Sequence, residues 1–170
     1  MVLKIFKYKK VSSTNNIAIK KIKRGYKTGI IISETQTNGR GQYGKKWISN
    51  KGNLFLSIFF AINKKTKISN LVKSNLKSIK KILSKYIKLK INIKIPNDIT
   101  VNKKKICGIL NETLFYDNFK FIIIGIGINI SNSPNLKSYP TTHLNEITNK
   151  KINKIELLNR IIKVFEKEIK

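Results

Sequence analysis

"QTNGRGQYGKKWISNKGNLFLSIFF" runs from Gln36 to Phe60. Gly39, Gly41 and Gly44 stand at G-x-G-x-x-G spacing, with Arg40, Lys45 and Lys46 threaded through and Trp47 closing the loop. Glycines let a ligand approach the backbone, and their free N–H groups can cradle phosphate. The cations supply charge for the same phosphate. Spacing alone does not choose a fold, because dinucleotide-binding folds, kinases and chance all share it. The residues that follow decide. A dinucleotide fold runs strand, glycine loop, helix, so that the phosphate meets a helix N-terminus. Here the loop leads into "NLFLSIFFAI" (53–62), apolar and β-rich, which reads as a strand. A protein kinase does place its loop between strands, but its D-F-G and H-R-D motifs are missing, as is the G-K-[ST] of a Walker loop. Two readings remain on the loop alone: a ligand cradle between strands, or a basic glycine-rich hairpin turn.

Working outward, "LKIFKYKKV" (3–11) reads as a short strand, and "NNIAIKKIK" (15–23) has the 3–4 spacing of a short helix. Ser12, Ser13 and Thr14 are candidate N-caps for it. "TGIIISE" (28–34) is a buried strand entering the loop. Residues 68–87 carry Leu71, Val72, Leu76, Ile79, Ile82, Leu83 and Tyr86, a long amphipathic helix. Short strands follow: "INIKI" stops at Pro96, "DITV" is next, and "KKKICGILNETLFY" pairs with "KFIIIGIGINI" across a turn at Asp117–Asn118. Residues 131–141 form a polar loop, His143 is a surface or helix-start residue, and Ile155, Leu158, Ile161, Ile162, Phe165 and Ile169 mark a terminal helix with Glu156 in its first turn. The expected order, β-α-β-loop-β-α-β-β-β-β-α, is an α+β domain with a mixed, largely antiparallel sheet covered by helices.

The 170 residues suit one domain with a real core. No stretch approaches the ~20 apolar residues of a membrane span, and the charged first ten residues are no signal peptide. One cysteine, Cys107, excludes an internal disulfide framework and suits a reducing cytoplasm; one Cys with one His argues against a zinc site. Lys and Arg number 36 against 8 acidic residues, a net charge of +28. Such a balance points to nucleic acid or an acidic partner. Yet 33 Lys, 32 Ile and 20 Asn make up half the chain, all with A/T-rich codons, and only 3 cations are arginine. Compositional drift with a solvated surface therefore competes with a selected partner.

The ordered set "SSTN" (12–15), "ETQTNGRGQYGKKW" (34–47), "IPND" (95–98), "KKICGIL" (104–110) and "GIGINI" (125–130) resembles the biotin protein ligase family across roughly residues 8–170. The resemblance implies the α+β catalytic core shared with lipoate ligases and related to class II aminoacyl-tRNA synthetases. It implies a two-step reaction: biotin's carboxylate attacks the α-phosphorus of Mg-ATP, giving biotinyl-5′-adenylate and pyrophosphate. A lysine of a biotin carboxyl carrier protein, that of acetyl-CoA carboxylase, then attacks the mixed anhydride and releases AMP. Two anions meet in the first step, so fixed cations and N–H donors do most of the work. By resemblance, Arg40 and Lys105 contact the carboxylate and phosphate. Ser13, Thr14 and Gln36 face biotin's ureido ring, with Asn15, Gly39 and Gly108 also at biotin. Gly41, Gln42, Lys46, Trp47 and Asn97 join Arg40 and Lys105 at the nucleotide. Asn129 is the candidate for Mg²⁺ or phosphate contact. Asp98 would orient or deprotonate the acceptor lysine, with Glu112 as runner-up. Plainer readings stand beside these: Ser13 as a helix cap, Trp47 as a core aromatic, Lys105 as one lysine of a hairpin turn, "IPND" as turn chemistry.

Many family members read G-R-G-R-x-G where this chain has Gln42, and have Trp where it has Ile95. Residues 1–170 are expected to be a single catalytic domain, without an N-terminal helix-turn-helix or the C-terminal SH3-like domain, so operator DNA binding is not expected. The expected setting is cytoplasmic, with no membrane contact, and an exposed edge strand would permit a homodimer. The alternatives are a lipoate or octanoate ligase of the same fold, a degenerate ligase, and a basic nucleic-acid-binding module. The last requires aromatics interleaved with cations on an exposed face, whereas Phe55, Phe59 and Phe60 sit in apolar strands.

Overall fold

The computed structural model of the chain describes residues 3–136 and 139–169. Among them, seven strands form one sheet: β1 (Ile5–Val11), β2 (Thr28–Gln36), β3 (Leu54–Ile62), β4 (Ile91–Lys94), β5 (Asp98–Val101), β6 (Lys104–Tyr116) and β7 (Phe119–Ile128). Their spatial order is β1-β2-β3-β7-β6-β5-β4. β1 and β2 are parallel, because helix α1 (Thr14–Lys23) carries the chain back between them. All other neighbours are antiparallel. The expected α+β class and strand order hold. Asp117 and Asn118 turn the β6–β7 hairpin at φ +48° and +61°, a left-handed conformation that short polar side chains tolerate.

Two boundaries differ from the sequence reading. The amphipathic stretch 68–87 is helical only over α2 (Ile68–Leu83); Tyr86 and Ile87 continue the apolar stripe from the turn that follows. A short helix, α3 (Leu144–Thr148), stands between the polar loop and the terminal helix α4 (Lys154–Glu168). Five residues carry too little periodicity to be seen; His143 is its N-cap, the helix-start position named for it. Residues 137–138 of the polar loop lie outside the described residues.

Side chains alternate across a sheet, so each strand serves two faces. On one face Leu54, Leu56 and Ile58 of β3 and Ile122, Ile124, Ile126 and Ile128 of β7 join Leu76, Ile79 and Leu83 of α2 and Leu157, Ile161 and Phe165 of α4 in the main core. On the other, Ile31, Phe59, Phe121 and Ile123 meet Ala18 and Ile22 of α1 in a smaller cluster. Phe55 and Phe59 are core, as expected, and Phe60 is partly buried. By contrast Phe115, Tyr116 and Phe119 are exposed at the β6–β7 turn. Lys27 and Lys120 lie over the rings of Phe119 and Phe115 there, far along the strands from the glycine loop. The β1–β2–β3–β7–β6 surface opposite the main core carries Gly125, Gly127 and Gly108 near the loop end. Gly127 sits between Phe55 and Gly108, and Gly125 between Ser57 and Leu110.

Candidate functional site

The glycine loop is anchored before it is shaped. Thr37 N donates to Val11 O (2.9 Å) and Asn38 N to Ser12 O (2.8 Å), so the base of the loop docks on the "SSTN" segment. Gly41 N then donates to Lys45 O (2.7 Å) and Trp47 N to Gly39 O (2.8 Å), folding the loop on itself. Tyr43 and Gly44 take φ +55° and +72° at its tip. A Cβ on Gly39 would stand 2.4 Å from Trp47 O. The loop is therefore a hairpin, as the plainer reading had it, and its arms also wall a cleft.

That cleft has a volume of about 650 Å³. Ser13, Thr14, Asn15, Gln36, Arg40, Gly41, Gln42, Lys46, Trp47, Asn97, Asp98, Lys105, Gly108 and Asn129 all line it. Of the sequence-derived candidates Gly39 and the runner-up Glu112 do not; they line a depression of about 520 Å³ bordered by the same loop and by Leu110 and Asn111. The floor is built by omission of side chains. A Cβ on Gly127 would lie 2.5 Å from Trp47 Cε2, and one on Gly108 2.7 Å from Trp47 Cζ3. The indole thus lies flat against two neighbouring strands, half-buried at the site rather than within the main core.

At one end, polar groups converge from α1 and the end of β2. Gln36 Oε1 accepts from Thr14 N (2.8 Å) and Thr14 Oγ1 (3.1 Å), while Gln36 Nε2 donates to Ser49 Oγ (2.9 Å). Ser13 is buried and occupies the N-cap position of α1, but its side chain makes no capping hydrogen bond. A hydroxyl on the cleft lining without that bond fits a ligand contact better than the cap reading. Asn15 is buried too, and both ends of its amide are used inside the protein: Ser57 Oγ donates to its Oδ1 (2.5 Å) and its Nδ2 donates to Glu112 Oε2 (2.7 Å).

At the other end stands Lys105. Between β5 and β6 the register skips Ile106: Ile99 faces Cys107 and Thr100 faces Lys105. Such a bulge re-aims side chains. Lys105 Nζ reaches Asp98 Oδ1 at 2.7 Å and lies 5.1 Å from the Trp47 ring centre. Segment 140–142 runs beside this strand, with Lys105 N donating to Pro140 O (2.9 Å) and Thr142 N to Lys105 O (3.0 Å). It delivers Tyr139, which sequence reasoning missed: its hydroxyl donates to Asp98 Oδ2 at 2.8 Å. Burial pushes the Tyr139 hydroxyl pKa up, and the hydrogen bond to Asp98 and that carboxylate's charge push it further. Nothing in the local pattern separates this tyrosine from other loop residues. Asp98 is thereby held between a cation and a phenol. Glu112, the runner-up for its role, lies elsewhere, bound to Arg40 Nη2 at 2.5 Å and to Asn15.

Arg40 Nε, Gln42 Oε1 and Trp47 Nε1 are buried without a protein partner, all on the loop wall of the cleft. Buried polar atoms are nearly always paired, so this cluster fits a polar ligand. A resident metal is a different matter. Among the described residues no group of three or more His, Cys, Asp and Glu converges. Asn129 donates Nδ2 to Thr142 O (3.2 Å), and one amide oxygen is no ligand set for a divalent ion. No helix among the described residues is long and apolar enough to cross a membrane.

Comparison with known proteins places this geometry. The chain is 31% identical over 149 residues to the bifunctional ligase/repressor BirA of Bacillus subtilis, covering 81% of this chain and 45% of the relative. It therefore spans less than half the length of that protein. A biotin protein ligase from Aquifex aeolicus, solved in complex with biotin and ATP, superposes with a TM-score of 0.81 at 26% identity, covering 98% of this chain and 70% of the other. A biotin protein ligase from Leishmania major, in complex with biotinyl-5-AMP, superposes with a TM-score of 0.80 at 26% identity, covering 96% and 75%. With residues 8–129 matching the biotin/lipoate A/B protein ligase family, the chain belongs to that family.

Proposed function

We propose that this chain activates biotin with ATP and transfers it from biotinyl-5′-adenylate to a lysine of a biotin carboxyl carrier protein. The observation that carries the reading is the joint placement of Lys105, Arg40 and Trp47 around one glycine-floored cleft. Two cations on one cleft, Arg40 from the loop and Lys105 from β6, can draw the biotin carboxylate and the α-phosphate of ATP together, while loop N–H groups donate to the remaining phosphate oxygens. The Thr14–Gln36 end supplies donors and acceptors for a neutral polar ring, and the apolar floor receives the rest of the acid. Mg²⁺ arrives on the ATP phosphates as part of the substrate. Asp98, tied to Lys105 and Tyr139, is the carboxylate placed to receive the acceptor amine. Biotin is preferred to lipoate because the two solved structures named above are biotin protein ligases and the Arg-Lys loop is polar. The acceptor, the cytoplasmic setting and the oligomeric state belong to the same proposal; an acidic carrier domain would meet a +28 surface quickly at low salt.

The test is pyrophosphate exchange into ATP with Mg²⁺ and biotin, lipoate or no acid. Exchange is expected with biotin only. Lys105→Ala should lower it by about 10²–10³-fold, the scale for losing one fixed charge-stabilising donor. Exchange with lipoate would overturn the substrate, and no exchange with any acid would overturn the activity.

A further inference from the structure

The glycine-loop arginine has a tether that the ligation chemistry does not itself demand. Ser57 Oγ donates to Asn15 Oδ1, Asn15 Nδ2 donates to Glu112 Oε2, and Arg40 Nη2 donates to that same carboxylate oxygen. The four groups come from β3, α1, β6 and the loop, so the chain of bonds joins elements far apart in sequence. Ser57 and Asn15 are fully buried, 0% and 2% exposed. Gly125 beneath them keeps the space open, since a Cβ there would stand 2.4 Å from Asn15 Oδ1. An exposed ion pair alone would orient Arg40 weakly. Here the carboxylate is itself oriented by a buried amide, whose own direction is set by a buried hydroxyl.

Glu112 would otherwise be out of place. It is one of 8 acidic residues, and it stands beside a site suited to anions. The ion pair neutralises it, and it uses one guanidinium nitrogen only. Arg40 Nε stays buried without a protein partner, so the same side chain can hold Glu112 and an anion together. We infer that Glu112 is a positioning residue: anchored through Asn15 and Ser57, it fixes Arg40 and so holds the glycine loop over the bound adenylate. The ligand's identity rests on the proposed function; the tether does not. In this chain, with Gln42 beside Arg40, retention of the adenylate depends on that one tethered arginine.

Arginine scarcity makes a clean experiment. The chain has only Arg24, Arg40 and Arg160, so an arginine-specific endoprotease acting on the intact folded protein can cut at three places. Wild type, E112Q and E112A are digested and the cuts followed by mass spectrometry. Cleavage after Arg40 should rise severalfold in E112Q and more in E112A, with the rates after Arg24 and Arg160 unchanged. Those two sites report general unfolding, and E112Q keeps an acceptor for Asn15 should E112A fold poorly. A second readout is release of biotinyl-5′-adenylate, expected to be severalfold faster in E112Q, with KM for ATP raised more than kcat is lowered. Unchanged cleavage after Arg40 in both variants overturns the tether. Faster cleavage with unchanged adenylate release overturns its role in retention. If wild type forms no adenylate, the proposed function falls while the protease result still decides the tether.

Discussion

The two faces of the sheet are made by the same strands and built by opposite means. On the α2–α4 face β7 presents Ile122, Ile124, Ile126 and Ile128, each at most 2% exposed, and the space is filled. One residue out of step, the loop end of the same strand presents Gly125 and Gly127 to the other face, where side chains are withheld, while Phe121 and Ile123 fill its far end against α1. Into that space go Asn15 against Gly125 and Trp47 against Gly127, from segments 110 and 80 residues earlier in the chain. Alternation is what permits this division. The filled face supplies stability through burial, and the emptied face stays rigid because its floor is the backbone of paired strands. A cleft made of omitted side chains on a well-packed sheet can be shaped without weakening the core behind it.

That contrast can be broken by substitution. The largest expected effect is on the filled face: Ile58→Ala should cost about 2–5 kcal/mol, read as a lower denaturant midpoint, with exchange activity per folded molecule unchanged. Loss of activity without loss of stability would mean that the faces are not separable. Next, Gly127→Ala places a methyl 2.5 Å from Trp47. Overpacking of about 1–3 kcal/mol is expected, but the sharper sign is optical. Trp47 is the chain's one tryptophan, so its emission should shift to the red as the ring lifts into water. Unaltered emission would place the indole elsewhere. The smallest effect concerns Cys107, fully buried on the filled side. Burial raises its thiol pKa, with Asp98 adding slightly and Lys105 opposing. The folded state therefore keeps the proton longer than the unfolded one. The resulting stabilisation is complete below the ordinary thiol value of about 8.5 and fades as pH rises through it. A thiol reagent at pH 8 should leave the native protein unlabelled and react fully in denaturant.

Much of this arrangement could be read along the chain, for reasons that differ by residue. The β6–β7 hairpin was legible because Asp117–Asn118 is a local turn between apolar runs. Arg40, Lys105 and the glycines were legible as motifs, since their residue types are the chemistry. Glu112 was visible only as a spare carboxylate; its partners lie 72 and 97 residues away, and no local pattern joins them. Tyr139 carried no signal at all, because what selects it is the pairing of segment 140–142 with Lys105.

By itself the sequence determined the elements and their order, since hydrophobic period and turn chemistry act over a few residues. It also determined the inventory of the site: which cations, amides and glycines were on hand. Only the tertiary structure decided which face of β7 would be emptied, that β1 and β2 run parallel, and that Arg40 meets Glu112 while Lys105 meets Asp98. Those outcomes depend on register and on contacts between distant segments, where a shift of one residue would exchange the two faces.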